Sequence, residues 1–420
     1  MAETLMPLED AQAIVLENVD KTPLVEIPVW RAAGSPLAED VVADIDISPF
    51  ANSAMDGYAL RSADLVGATP EAPVELEVVG HEAAGHVFEG AIAPGQTVRI
   101  MTGAPVPAGA DAVVKYEIVD VLDGDGNEGS RVAFTAPAKM GENVRAAGEE
   151  AHAGDIVMHA GEVVTPAGAG LLSSAGCSKV KVHAAPRVGI ISLGTELVAP
   201  GVKPGRGQIR DSNSSALMAE ALDAGAEPVF FGIAPDDEAA IAELVHRAVA
   251  ECDFVITSGG ASAGDYDYVT ALVKREGTVL FDRISMRPGK AITFGLIGGK
   301  PYLGLSGNPA AAYVGFEMLA RPAIRKMRGF APAARPVQRA VLTHGVRKRQ
   351  DRRFFDRARV ERDPESGELR VTEAKTQNSA LLGTMQRANC LLRIMEGPCE
   401  LAAGDVVDVV RVDVPEGTEL

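Results

Sequence analysis

The chain of 420 residues carries 40 Lys and Arg against 58 Asp and Glu, a formal net charge of −18, with 46% hydrophobic and 23% charged residues. At roughly 150 residues per domain this length allows two to four packed cores, and the balance of apolar and charged residues excludes a chain that is disordered for most of its length. So acidic a protein gains nothing from counterion release on DNA or RNA, which excludes a nucleic-acid role, and an anionic substrate needs local Lys or Arg side chains or a divalent cation to be held.

The four cysteines are scattered, with no CxxC pair, and the seven histidines form no HExxH group, a pattern that fits a reducing compartment and no zinc site. The first residues carry acids where a signal peptide needs Lys or Arg, and no apolar run approaches the roughly 20 residues of a membrane span. The expectation is a soluble, cytoplasmic protein without membrane contact.

In chain order, residues 8–18 predict a short amphipathic helix, closed off by Pro23 and Pro28. From 27 to 147 short β-type runs such as VELEVVG, QTVRIMTGA, ADAVVKYEIV and SRVAFTAP alternate with Gly and Pro, which predicts a small β-rich domain; its NSAMDGYAL and GENVRAAGEE segments read as loops or strand edges. Residues 148–183 return to mixed text and could complete a domain begun by residues 1–26. Between 184 and 328 apolar strand-like runs alternate with helical periods, the signature of an α/β domain with a mostly parallel sheet covered on both faces. Gly225 ends its first helix, Asp236 and Asp237 open the second, and Asn308-Pro309 supplies an N-cap followed by a first-turn proline. From 329 to 420 the pattern turns β again, with Asp363-Pro-Glu-Ser-Gly367 as a hairpin tip.

Ligands of an open α/β sheet bind beyond the carboxyl ends of its strands. The loops expected there carry Gly194-Thr195-Glu196, Asp236, the stretch Ser258–Asp267, Arg283, Arg287-Pro-Gly-Lys290 and Ser306-Gly-Asn308-Pro309. Ser258, Gly259, Gly260 and Ser262 lie in a loop whose free amides suit a phosphate, although a plain strand-to-helix turn would look the same; neither a P-loop nor a dinucleotide fingerprint is present. Glu196, Asp236, Asp265 and Asp267 could share Mg²⁺, a hard cation that prefers oxygen, or could serve as helix caps. Arg287 and Lys290 could clamp an oxyanion, or could be solvated side chains of a turn. Gly260-Ala-Ser262-Ala-Gly264 also fits the nucleophile elbow of serine hydrolases, but Ser262 stands about four residues past the strand, and the one histidine after it, His344, falls in the C-terminal β unit.

At these loops the chain resembles the molybdopterin molybdenumtransferases, a family that includes the E domain of gephyrin. The resemblance runs through eight segments in order, from SAMDGYA at Ser53 through VRIMTGAPVPAGADAVV, GENVRAAGEE, SLGTEL, SGGASAGDYDY, RPGK and LSGNP to QNSALLGTMQRAN. It implies four domains: a discontinuous linker domain (1–26 and 148–183), a small β-rich domain (27–147), an α/β molybdopterin-binding domain (184–328) and a C-terminal β-barrel-like domain (329–420). It implies a homodimer, Mg²⁺, molybdate and adenylylated molybdopterin as substrates with AMP released, and docking of a molybdopterin adenylyltransferase as a possible partnership. A non-catalytic scaffold of the same fold is the alternative. By the same resemblance the catalytic set is Asp56, Glu150, Glu196, Asp236 and Asp267. The substrate-binding set is Thr102, Arg145, Arg283, Arg287, Lys290, Ser306, Asn308 and Pro309, with Arg352 and Ser379 tied to oxyanion binding. Glu150 stands where the family usually has Asp, and Thr195 where Asp commonly precedes the Glu.

Overall fold

The computed structural model describes residues 5–260 and 268–418. The chain packs as two compact units, one formed by Ile27–Gly34 and Glu39–Val180, the other by Met1–Glu26, Ser35–Ala38 and Lys181–Leu420. Helix α1 (Leu8–Glu17), legible in the sequence, belongs to the second unit and buries Leu8, Ala11 and Val15 at helical spacing.

The first unit is built on six strands, β1 (Gly57–Leu60), β2 (Val74–Glu82), β3 (Gln96–Ile100), β4 (Ala112–Lys115), β5 (Asp120–Asp123) and β6 (Arg131–Phe134), in the order β4-β1-β3-β2-β6-β5. Here the reading of NSAMDGYAL as loop or edge is corrected, because β1 is an interior strand between β3 and β4. Four residues beginning with glycine carry too little β-pattern to stand out, and the glycine is required: a Cβ at Gly57 would sit 2.1 Å from the Val114 carbonyl oxygen. Tyr58 anchors this sheet, its ring edge-on to Phe134 and its hydroxyl donating to the Gly126 carbonyl at 2.9 Å. Helix α2 (Pro166–Ser174) opens with Thr165, whose hydroxyl accepts from the Gly168 amide, and with Pro166 in the first turn.

The second unit holds a mixed sheet of β7 (Arg187–Leu193), β8 (Glu227–Ala234), β9 (Phe254–Ser258), β10 (Gly277–Arg283), β11 (Ala291–Ile297) and β12 (Lys300–Leu305), in the order β8-β7-β9-β12-β11-β10. β8, β7, β9 and β12 run parallel; β11 and β10 are antiparallel additions on one side, β11 joined to β12 through Gly298 and Gly299 at positive φ. Strand alternation sends Val188 and Ile190 into the core shared with α1, α3 (Asn213–Asp223) and α6 (Pro309–Gly315), while Ile191 and Leu193 pack against α4 (Glu238–Glu251) and α5 (Tyr268–Glu276). α6 continues through a π-helical turn, Phe316–Ala320, into α7 (Arg321–Met327). Asp237 caps α4 as expected, accepting from the Ala240 amide at 2.9 Å, and Gly225 follows α3 at φ +92°.

Beyond α7, strands β13 (Val337–Leu342), β14 (Arg353–Arg362), β15 (Leu369–Glu373), β16 (Cys390–Ile394) and β17 (Val406–Arg411) form a ring ordered β14-β15-β13-β17-β16 that closes when β16 pairs back onto β14. This is the expected C-terminal barrel. Asp363 accepts the Glu365 and Ser366 amides in the hairpin tip between β14 and β15. Helix α8 (Leu382–Arg387), inside the QNSALLGTMQRAN segment, was not anticipated.

A buried ion network ties α3, α6–α7 and the segment after β17. Arg321 donates to Asp223 at 2.7 Å and to Glu416 at 2.5 Å, Arg335 grips Glu317 through two bonds of 3.0 Å, and Arg325 pairs with Glu416 at 3.1 Å. Glu220 of α3 lies beside them without a hydrogen-bond partner, and burial, then the Glu317 charge, pushes its carboxyl well above the usual range. A raised carboxylate contributes stability that is lost as pH climbs past its unfolded value. Glu220→Gln is therefore expected to raise the unfolding midpoint more at pH 8 than at pH 5. Arg321→Met, which leaves Glu416 with Arg325 as its nearest partner, is expected to cost about 2 kcal/mol in a denaturant titration.

Candidate functional site

The carboxyl ends of the parallel strands are held in register by side chains that the sequence had placed there for other reasons. Past β7, the Thr195 amide donates to Asp236 Oδ2 at 3.2 Å, and Thr195 Oγ1 accepts from the Asp236 amide at 3.0 Å, so the loops after β7 and β8 are locked to each other. Glu196 folds its carboxylate back over Gly194, within 2.6 Å of where a Cβ would stand. Past β9, Gly259 has φ +97° and touches Leu193, whose carbonyl oxygen would lie 2.2 Å from any Cβ there; Gly260, at φ +66°, packs on the Leu193 side chain. These two glycines are therefore required by the close approach of β7 and β9, whatever else their loop binds.

Asn213, at the start of α3, joins the ends of β9 and β12. Its amide nitrogen donates to Ser258 Oγ at 2.7 Å and to the Gly307 carbonyl at 2.9 Å, while the Gly259 amide donates to the Leu305 carbonyl at 3.0 Å. Nothing in the sequence marks Asn213, which stands between serines in Ser212-Asn213-Ser214-Ser215.

A cavity of about 410 Å³ opens between this sheet and the barrel. Arg287 and Lys290 line it from the loop before β11, Ser306 and Asn308 from the loop after β12, and Ser379 from the segment before α8. Five residues from three distant stretches of sequence thus meet on one wall. Asn308 precedes Pro309 at the start of α6, its backbone amide donating to Ser306 Oγ at 3.4 Å, and the Ser379 carbonyl accepts from the Ala310 amide at 2.9 Å. Arg283 sits nearby in sequence but ends β10, paired with Ala291, and is absent from the cavity wall. Arg352 lies just outside, donating to the Met286 carbonyl at 3.4 Å and to Gln350 at 2.6 Å; burial, then the Arg287 charge, lowers its pKa.

Two residues of the barrel strand β14 complete the wall and were missed. Arg357 is wholly buried, donating to Thr384 Oγ1 at 3.2 Å and to the Asn378 carbonyl at 3.0 Å, and burial lowers its pKa. Asp356, 4% exposed, has its carboxyl pushed up to about 7, by burial first and the Glu373 charge second, against the pull of Arg287, Arg357 and Lys348. The sequence signal is weak, because RRFFDRARVER is charged along most of its length and only the folded barrel singles out Asp356 and Arg357 as buried.

In the unit containing residues 39–180, Asp56 and Thr102 are brought together. Asp56 Oδ1 accepts from the Thr102 amide at 2.7 Å and its hydroxyl at 2.8 Å, which holds the exposed Asp56 carboxyl below the ordinary range. Arg145 pairs with Asn52 in a two-residue ladder beside them, and Glu150 is exposed on the loop that follows. Ser262, Asp265 and Asp267 lie outside the described residues, so two of the four expected Mg²⁺ ligands do as well. Among the described residues no cluster of three His, Cys, Asp or Glu side chains forms a metal cage. Glu196 and Asp236 nevertheless supply the hard carboxylate oxygens that Mg²⁺ prefers, from adjoining loops.

Comparison with known proteins agrees along the whole chain. Residues 6–176 match the MoeA N-terminal region (domain I and II), 189–326 a probable molybdopterin binding domain, and 339–412 the MoeA C-terminal region (domain IV). A molybdopterin molybdenumtransferase of Bacillus subtilis is 36% identical over 91% of this chain and 88% of its own length. Molybdopterin molybdenumtransferase 2 of Mycobacterium tuberculosis is 38% identical over 96% and 98%. A crystal structure of a molybdopterin biosynthesis protein from Pyrococcus horikoshii superposes with a TM-score of 0.81 at 31% identity, covering 97% of this chain and 99% of that one.

The bridge made by Asn213 gives a test of the strand-end assembly. Asn213→Ala is expected to lower stability by about 1–2 kcal/mol and to speed hydrogen exchange at residues 258–260 and 306–308 together. Exchange that rises at one loop alone would contradict the bridge.

Proposed function

The chain belongs to the molybdopterin molybdenumtransferase family, enzymes of molybdenum cofactor biosynthesis, and we propose that it inserts molybdate into adenylylated molybdopterin in a Mg²⁺-dependent reaction that releases AMP. The observation that carries this reading is the cavity lined by Arg287, Lys290, Ser306, Asn308, Arg357 and Ser379. Fixed cations and neutral donors converging on one wall suit a tetrahedral oxyanion, which is all acceptor and has no proton of its own to offer. The volume of about 410 Å³ leaves space for more than the anion, as a site joining two substrates requires.

In this reading Arg287 and Lys290 hold molybdate, helped by Arg352 and Ser379, while the loop from Ser258 to Ser262 receives phosphate beyond Gly259, whose own amide is taken by the Leu305 carbonyl. Glu196 and Asp236, with Asp265 and Asp267, would hold Mg²⁺, which when bound neutralises charge on the phosphoanhydride. Asp236 or Asp267 orients the attacking oxygen, and Asp56, Thr102, Arg145, Glu150 and Arg283 complete the substrate contacts by family likeness. A cytoplasmic homodimer supplied by a molybdopterin adenylyltransferase fits the same reading. The acidic, oxygen-rich loops argue against a lost activity, and no observation favours a scaffold or a Ser262 nucleophile.

Purified protein with adenylylated molybdopterin is expected to release AMP when molybdate and Mg²⁺ are both present; bound substrate with no release would leave the scaffold. Arg287→Ala is expected to raise the KM for molybdate about 10- to 100-fold, the worth of one charge-assisted contact. Asp267→Asn is expected to abolish AMP release with an unchanged unfolding midpoint, and wild-type turnover in that variant would remove Asp267 from the mechanism.

A further inference from the structure

Asp356 is out of place in an anion cavity. It sits in the middle of β14, 4% exposed, on a wall shared with Arg287, Lys290, Arg357 and Ser379. An ionised carboxylate only accepts hydrogen bonds, and so does a fully deprotonated oxyanion, so the two repel in one cavity. A protonated carboxyl instead presents an O–H donor and no charge.

The groups facing Asp356 come from every neighbouring element. Arg287 belongs to the short strand Met286–Arg287, Lys348 to the strand Val346–Lys348, Arg357 to β14 itself and Glu373 to the end of β15. The segment Gln377–Ser379 contributes neutral side chains, and Lys290 adds a cation from the loop before β11. The cations are also pinned elsewhere: Lys348 donates to the Arg352 carbonyl at 2.9 Å and to the Met395 carbonyl at 2.5 Å, Arg357 to Thr384 and Asn378, and Arg287 lies over the Phe354 ring at 4.5 Å. Among the described residues, Arg287, Lys348 and Arg357 form no ion pair with Asp356 that would fix it as a carboxylate.

We propose that Asp356 takes up a proton as the cavity takes a fully deprotonated tetrahedral oxyanion, so that anion and proton bind as a pair. The inference rests on the oxyanion reading of the cavity and adds its charge rule. With the site empty, the carboxyl is poised near neutrality, at about 7. A dianion beside it stabilises the protonated form further, and linkage then makes anion affinity depend on pH: full where Asp356 is already protonated, falling about tenfold per pH unit above that point. The rule also sorts ligands, because hydrogen phosphate brings its own proton whereas molybdate, tungstate and sulfate do not.

The test is calorimetry of the full-length protein with inorganic molybdate at pH 8, in buffers of different ionisation enthalpy. Wild type is expected to take up close to one proton per anion, and to bind more weakly at pH 8.5 than at pH 7. Asp356→Asn is expected to bind with no uptake and little pH dependence, while Glu373→Gln keeps the uptake. Wild-type binding without proton uptake overturns this inference and leaves the oxyanion cavity standing. Uptake that persists in Asp356→Asn assigns the proton to another group and also overturns it. Wild type that binds no molybdate removes the cavity reading, and this inference with it. Should Asp356→Asn fail to fold, the wild-type and Glu373→Gln arms still decide.

Discussion

A two-residue strand decides where the cavity beside the barrel gets its second wall. After β10 the chain leaves the mixed sheet, and Met286–Arg287 pairs in parallel with Arg353 and Phe354 at the start of β14. The Arg353 amide reaches back to the Ser285 carbonyl at 3.0 Å, and the Ile284 amide to the Lys290 carbonyl at 3.0 Å, so the Arg287–Lys290 loop is fastened at both ends. That pairing puts the loop preceding β11 against a barrel strand that carries Asp356 and Arg357. Without it the cavity would have one wall. Precision of this kind comes from backbone bonds on rigid elements rather than from the side chains that touch the ligand.

Such a wall is costly to assemble. Removing a cation from water without a full counter-charge costs several kcal/mol even after relaxation, and the lowered pKa values of Arg352 and Arg357 both have burial as their first cause. Some of that cost is offset internally: Arg357 bonds Thr384 and the Asn378 carbonyl, and Arg287 stacks on Phe354. The ion network of Arg321, Arg335, Glu317 and Glu416 shows the alternative arrangement, in which every cation has a carboxylate at contact distance.

The sequence carried the α/β pattern, the barrel strands and most of the cavity wall, because those features are local. Hydrophobic period, the Asp237 cap and the RPGK and SGNP loops are each decided within a few residues. What it hid depends on neighbours remote in sequence. β1 is four residues long, and its place as an interior strand depends on β3 and β4 flanking it. Asn213 is an ordinary polar residue until β9 and β12 bring Ser258 and Gly307 within reach of one amide. Asp356 is one charge among many in RRFFDRARVER, and barrel closure through β16 buries it. The glycines at 259 and 260 read as phosphate-loop residues, yet the contact with Leu193 alone demands them, so their presence says less about ligand than the motif suggested.

The formal charge of −18 and a cavity lined by cations are compatible because they act over different ranges. Exposed carboxylates are screened beyond about 8 Å at physiological ionic strength, so the surface charge weakens long-range attraction of an anion without reaching far into the interior. Cations that are buried, like Arg357, or half-buried, like Arg287 and Lys290, are screened less, and their field inside the cavity is set by a handful of neighbours. Affinity there is a local matter of Arg287, Lys290 and Arg357 against Asp356. The association rate is the quantity the acidic surface depresses, and that depression should ease as salt is added.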